Sequence, residues 1–497
     1  MTITFDEIAG DWLAPGTFLE VKANYRKVGV LPWPVKNLII SQKLGTGTLA
    51  AGQIAEITRP EEAIALFGLG SIGADMVAAF RKANKTQPLF VMALADAGGA
   101  VKATGTFTFA GNVPQPVVLR FRVGSRQVRI TALPADTPTQ LATKLVAAIT
   151  ADTANVVTAT SAAEVVTCTA RNGGEVGNDI DIRVDVAAQV IPAGLTIAVV
   201  AMANGAGNPL IQGALDLLPG AWFTDVSFPW NDVTNMQAFA AWAIVRYQAM
   251  TRLDVHGYVA KRATYGQAGT FGQLTNCPFL SPMALKAVPT SAWNIAATAH
   301  GIAAFHLTND PARQLRSLVL PGVMAPDPAD QYSQTEGELL LRSGVSLLEC
   351  LPDGTVTIGR MITSYRTSAL GIADRAWLDI MVPKTMSRIR YDWRSYMSLL
   401  YPRAKLVEDD SDASFASRPE DDEDLGSAVA SPRRVHGSWA ARCRLYSERA
   451  WLTDVDRTIK ESVFEIDADD RNRLNSRQQV MIVGNLMVSA GSLEFQV

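Results

Sequence analysis

The sequence predicts a multidomain α/β protein with a β-rich insert, an α+β C-terminal domain and extended strands at both ends. Three observations carry that expectation. Strand-like apolar runs alternate with helical periodicities over residues 27–97, and again over 208–382. Between them, from about Gly98 to Gly207, the composition turns to Val, Thr and Ala with few aromatics. A chain of 497 residues also exceeds one ordinary core, so roughly two to four domains are expected.

The elements follow in order. Leu19, Val21, Ala23 and Tyr25 alternate with Glu20, Lys22, Asn24 and Arg26, the period of a strand with one buried face. A strand at Asn37–Ser41 leads through a Gly/Thr-rich loop to a helix opening near Pro60, Glu61 and Glu62, where Pro and acids suit a first turn. A second helix at Ala74–Arg81 leads to a strand at Pro88–Leu94. The insert holds β-type runs at Gly105–Phe109, Val117–Ile130, Val156–Thr160, Val165–Arg171 and Ile180–Val186. Its one helix, Thr137–Ile149, opens on Thr-Pro-Thr, a start signal.

Beyond it, Leu210–Leu218, Met236–Thr251 and Ser291–Phe305 read as helices, and Trp222–Ser227 and Val255–Val259 as strands. Pro- and Asp-rich loops surround Pro321–Tyr332. Val345–Cys350 and Thr355–Ile362 flank Asp353-Gly354, a hairpin signal. From Pro383 a third region begins. Met386, Ile389, Trp393, Tyr396 and Leu400 make a one-sided helix, and a second carries Trp439, Cys443, Tyr446 and Ala450. Between them Glu408–Asp424 is an acidic linker, read as a solvated loop. A strand at Ser462–Ile466 precedes the apolar run Val480–Val488. Leu493, Phe495 and Val497 then alternate with polar neighbours. The expected segments are 1–26, 27–97, 98–207, 208–382, 383–479 and 480–497. Both terminal strands are open to two readings: arms that add to a neighbouring sheet, or edges of the chain's own sheet.

Several function classes are disfavoured. A formal net charge of -3 lacks the basic excess of a nucleic-acid binder. No apolar run reaches the roughly 18 to 20 residues that span a bilayer, and MTITFDEIAGDW has no basic region before an apolar stretch, so no signal peptide and cytoplasmic formation are expected. Cys168, Cys277, Cys350 and Cys443 are scattered without metal spacing, and His300 and His306 lie six apart. No metal, cofactor or catalytic residue is expected. One motif points elsewhere. Gly68-Leu-Gly70-Ser-Ile-Gly73 is a literal GxGxxG, with Asp96 after the next strand, as in an NAD(P)-binding enzyme. The residues before it read as a helix rather than the required strand, so the glycines suit a helix stop and restart, with Ser71 as cap.

Pro15-Gly-Thr-Phe-Leu-Glu20, Phe67-Gly-Leu-Gly-Ser71, Thr169–Asn178, Ile362-Thr-Ser-Tyr365 with Leu378-Asp379 and Ile389-Arg-Tyr391, and Glu461–Arg477 resemble, in order and spacing, the contractile tail sheath proteins of bacteriophages, particularly the Mu-like branch. The acidic loop departs from that family, being longer, with Ser431-Pro432 nearest to its usual Thr-Pro. The resemblance implies an α/β sheath core and a virion structural subunit, assembled in the host bacterial cytoplasm. Such subunits stack in rings around a tail tube and contract to drive it through an envelope. Terminal arms stitch the copies together by adding strands to a sheet within Pro383–Phe464 and its flanks. The implied arm contacts are Phe18, Leu19, Val21, Ala23 and Tyr25 at one end, and Val480, Ile482, Leu486, Val488, Leu493 and Phe495 at the other. Arg388, Arg390, Arg394, Arg442 and Arg444 are candidates to face the tube. Implied partners are other copies of the chain, tail tube protein, and baseplate and tail terminator proteins. No nucleic acid or direct membrane insertion is implied. A baseplate structural protein is the alternative within the same class.

Overall fold

The computed structural model describes residues 29–186, 189–412 and 429–495. It is a mixed α/β protein with several sheets. The described residues form two compact units, a larger one from Trp33–Ile389 with 482–495 and a smaller one from 29–32 with Arg390–Met481.

The larger unit is built on a sheet with the strand order Leu280–Leu285, His256–Arg262, Asp225–Ser227, Asn37–Gln42, Leu89–Leu94, Ile54–Ile57. Neighbours are parallel except for the last pair. A parallel sheet is covered on both faces, so its strands are apolar throughout rather than alternating; Asn37–Gln42 and Leu280–Leu285 are buried along their whole lengths. Successive side chains still go to opposite faces. Ile39, Val91 and Ala93 join Phe80 and Trp293, from helices Ile72–Ala83 and Ala292–Asn309. Leu38, Ile40 and Met92 join Met236 and Phe239, from helix Val233–Tyr247. The first two helices touch closely at Gly301, where a Cβ would stand 3.0 Å from the Ala83 Cβ and 3.1 Å from the Phe80 carbonyl oxygen. The first strand thus lies mid-sheet, between strands that precede and follow the insert.

Within the insert, Leu195–Ala203, Thr104–Gly111, Val165–Ala170 and Val157–Ala162 form one antiparallel sheet, and Arg126–Ala132, Val117–Val123 and Ile182–Val184 another. The run Val117–Ile130 is therefore a hairpin, turning at Gly124 with φ +61°. Helix Pro138–Ala151 starts with a capping box between Thr137 and Gln140. Its apolar cluster is continuous with that beneath Ile39, and polar contacts reinforce the join. Asp181 accepts from Arg262 Nη2 at 2.7 Å and from Arg183 Nε at 2.5 Å.

Other expectations shift. The helix at Leu210–Leu218 shortens to Gln212–Leu215. The hairpin at Asp353-Gly354 forms and gains a third strand, Val319–Met324, inside a stretch expected to be partly loop. Its register is irregular, and it contains Pro321, without a ladder donor, and Gly322 at φ +87°.

In the smaller unit, the C-terminal part of helix Met381–Leu400 is accompanied by helices Pro432–Glu448 and Val455–Lys460. Val463–Ile466 pairs with Leu474–Arg477 and Lys405–Leu406 with Val429–Ala430. Trp393 packs edge-on to Trp439 and Phe464, at centroid distances of 5.1 and 6.4 Å. Residues 413–428, most of the acidic linker, lie outside the described residues, as does the strand expected over Leu19–Arg26.

The C-terminal strands expected over Val480–Val488 and Leu493–Val497 do not form a ladder. Residues 478–495 are irregular apart from a bridge position at Ile482, and 496–497 lie outside the described residues. The reason is that a strand needs an edge to pair with, whereas periodicity records only which side chains seek cover.

One buried polar chain crosses the larger sheet. His300 faces Ser227 Oγ through Nδ1 at 3.0 Å and Asn37 Oδ1 through Nε2 at 3.1 Å, and its ring stacks on Tyr258 at 5.1 Å. Tyr258 donates to Asp225 Oδ1 at 2.8 Å, which also holds Lys384 Nζ at 2.6 Å. His256 lies 2.9 Å from Ser281 Oγ. Burial, then the Lys384 charge, holds both imidazoles well below the usual histidine range. Neutral histidine is therefore favoured in the folded state, while the unfolded chain takes up protons near pH 6.5. Stability is then lost as pH falls below about 6.5, by about 1.4 kcal/mol per pH unit for each such histidine until its folded pKa is reached. Asp75 and Asp179, raised by burial, act in the opposite sense, so a difference isolates the effect. Between pH 7 and 5.5, His300→Gln is expected to lose less unfolding free energy than the parent in denaturant titrations; parallel losses would contradict this.

Candidate subunit-interface segments

The sequence marks the terminal segments as the expected interface, and the described chain is fixed next to each of them. At the N-terminal side the anchor is a charge buried in the smaller unit. Asp392 Oδ1 accepts from the Leu31 backbone N–H at 2.7 Å. Its Oδ2 accepts from Arg442 Nε at 2.9 Å and the Tyr446 hydroxyl at 2.6 Å, and Arg442 Nη2 also donates to it. Both Arg442 Nη atoms reach the Gly29 carbonyl at 3.3 Å. The guanidinium lies 4.5 Å from the Tyr396 ring centroid, a cation–π contact. Burial and then the Asp392 carboxylate push the Tyr446 hydroxyl pKa upward. The chain just after the N-terminal arm is thus tied into the core. Phe18, Leu19, Val21, Ala23 and Tyr25 themselves lie outside the described residues.

Sequence reading missed Asp392, although a signal existed. It sits three residues after Ile389 and four before Tyr396, on the apolar stripe of its helix, as Arg442 sits between Trp439 and Tyr446 on another. Opposite charges on two apolar stripes are the pattern of a buried pair.

At the C-terminal side, Met481 belongs to the smaller unit, its carbonyl accepting from the Thr453 N–H at 2.9 Å and its N–H reaching Thr458 Oγ1 at 3.3 Å. From Asn485 the segment lies on the larger unit with alternating exposure. Asn485 and Met487 are half-buried, whereas Leu486 is 74% and Val488 78% exposed. Further on, Leu493 is 99% and Phe495 85% exposed. Val480 and Ile482 are half-buried.

The five arginines fall into different settings. Arg442 is 1% exposed and occupied internally, so the expectation that it faces outward is corrected by its pairing with Asp392. Arg388 is also buried, 5.8 Å from the Trp33 ring centroid. Arg390 and Arg394 are half-buried, and Arg444 is exposed.

The glycine motif serves packing. Gly68 and Gly70 have φ of +91° and +79°, and a Cβ on Gly70 would stand 2.7 Å from the Asn155 carbonyl oxygen. At the helix N-terminus where a dinucleotide phosphate would sit, Ser71 Oγ accepts from the Ala74 N–H at 3.1 Å and Asn172 Oδ1 accepts from the Ile72 N–H at 3.2 Å. Asp96 takes hydrogen bonds from Gln42, Asn172 and the Gly173 N–H at 2.7–2.9 Å. These groups staple the insert to the sheet.

No family model matches the sequence. Among solved structures the chain is similar to sheath tail proteins: one from Desulfitobacterium hafniense (11% identity, TM-score 0.47, covering 94% of this chain and 100% of that one) and one from Listeria innocua (12% identity, TM-score 0.48, covering 90% and 92%). In sequence it is 28% identical over 497 residues, 100% of both chains, to the Mu-like prophage FluMu tail sheath protein of Haemophilus influenzae. The resemblance to tail sheath proteins of the Mu-like branch therefore runs along the whole sequence.

Removing one partner of a buried ion pair strands the other charge, at a cost of about 3–5 kcal/mol. Asp392→Ala and Arg442→Met are each expected to lower the unfolding midpoint strongly, while the double variant D392L/R442M recovers a large part of the loss. Single variants that melt like the parent would contradict the anchor.

Proposed function

We propose that this chain is a non-enzymatic structural subunit of a contractile phage tail sheath, polymerising around a tail tube through terminal segments that add strands to neighbouring copies. The observation that carries the family half is the full-length similarity to a tail sheath protein. The assembly half is supported by the C-terminal segment, which is apolar, forms no ladder among the described residues, and exposes Leu486, Val488, Leu493 and Phe495. Apolar side chains left in water at a chain end are covered when a second sheet edge is offered. In this reading the receiving sheet is the pair Val463–Ile466 and Leu474–Arg477 of the smaller unit, antiparallel neighbours of each other.

The mechanism needs no nucleotide. Each added backbone hydrogen bond contributes about 0.5–1.5 kcal/mol net, and repetition along a polymer makes the mesh durable. Rigid units joined by such strands can rearrange from an extended, metastable lattice to a compact one. That release moves the tube through an envelope. Arg390, Arg394 and Arg444 remain the candidates for tube contact. The partners in this reading are other copies, the tube, and baseplate and terminator proteins, within a virion tail assembled in a bacterial host's cytoplasm.

Negative-stain electron microscopy of the purified chain over a range of concentration and salt tests the reading. Hollow tubes or stacked rings are expected. Deleting Leu493–Val497 is expected to leave a folded, soluble subunit with an unchanged melting curve and no tubes. Tubes from the deleted chain would overturn the arm assignment.

A further inference from the structure

The root of the C-terminal segment is held in a way that its pattern does not reveal. Asn485 Nδ2 donates to the Ala312 carbonyl at 2.9 Å. In return Gln314 Nε2 donates to the Leu486 carbonyl at 3.1 Å, and Arg316 Nη1 to the Met487 carbonyl at 3.4 Å. Met487 packs against the apolar cluster that includes Leu307, Leu315 and Leu320. The loop that makes these contacts is itself fixed. It leaves helix Ala292–Asn309 through Asp310, whose carboxylate accepts from the Ala312 N–H at 3.2 Å, and Ala312 and Leu315 are buried. Beyond Met487, Val488, Leu493 and Phe495 are 78%, 99% and 85% exposed among the described residues.

We propose that Asn485, Gln314, Arg316 and Met487 form a clamp that positions the root of the C-terminal arm, so that only residues from Val488 onward exchange between subunits. This rests on the arm reading given above. Two of the three hydrogen bonds run to backbone carbonyls of the segment, so they fix its path and phase. That phase turns Leu486 and Val488 outward together. The segment beyond Met487 pays less entropy on docking when its root is already ordered. The loop residues therefore act on assembly by positioning the arm, without touching the neighbouring copy.

The test uses the full-length chain and the triple variant N485A/Q314A/R316A, kept below the concentration at which the parent assembles and digested briefly with chymotrypsin. Cleavage after Leu493 and Phe495 serves as the internal control. The variant is expected to be cut after Leu486 and Met487 roughly tenfold faster, because local opening sets proteolysis, with control rates and thermal melting unchanged. It is also expected to need a several-fold higher concentration to form tubes. Equal cleavage after Leu486 and Met487 in both chains would overturn the clamp. Faster cleavage with tubes at the parent's concentration would overturn its role in assembly. A parent chain that never assembles would overturn the sheath reading instead, leaving the cleavage ratio to decide the clamp.

Discussion

A single β-strand cannot satisfy its own backbone, and this chain meets that constraint in three different ways. Asn37–Gln42 is paired on both sides and buried throughout. Among the described residues, Val463–Ile466 and Leu474–Arg477 pair only with each other, and the C-terminal segment has strand-like alternation and no ladder. In the proposed assembly, the same physics that makes the first a core element makes the last a donor.

The buried polar groups set which arrangement is adopted. A hydrophobic sheet tolerates many packings, whereas His300 between Asn37 and Ser227, or Asp392 between Arg442 and Leu31, is satisfied in one. Each lost contact strands a desolvated group, so these sites impose steep penalties on alternatives. The insert follows the same logic. Asp96, Asn172, Asp181 and Arg262 tie it to the sheet, and its apolar cluster continues beneath Ile39. Together they make it part of the larger compact unit.

Much of this was legible in the sequence, for identifiable reasons. Helix Pro138–Ala151 announced itself through Thr137 and Pro138, and the Asp353-Gly354 turn marked its hairpin. Leu195–Ala203 was missed because Ile197 to Val200 lacks alternation, and Val319–Met324 because Pro321 and Gly322 read as loop. That strands on either side of the insert share one sheet is a matter of topology, which local periodicity does not encode. At the candidate interface, alternation singled out Leu493 and Phe495, and the apolar run with the family resemblance singled out Leu486 and Val488; their exposure is seen only in the structure. Arg442 was misplaced because charge was read as surface, although its position on an apolar stripe argued for burial. Gln314 and Arg316 carry no local signal, since their partners lie more than 170 residues away.

The central claim is that the C-terminal segment becomes a strand in another copy. Helical reconstruction of assembled tubes by cryo-electron microscopy, at a resolution that traces the backbone, tests it most directly. The account predicts that residues from Val488 onward run as a strand hydrogen-bonded to the Val463–Ile466 and Leu474–Arg477 sheet of a neighbouring subunit. Density that returns those residues to their own larger unit, with no strand crossing between copies, would contradict it.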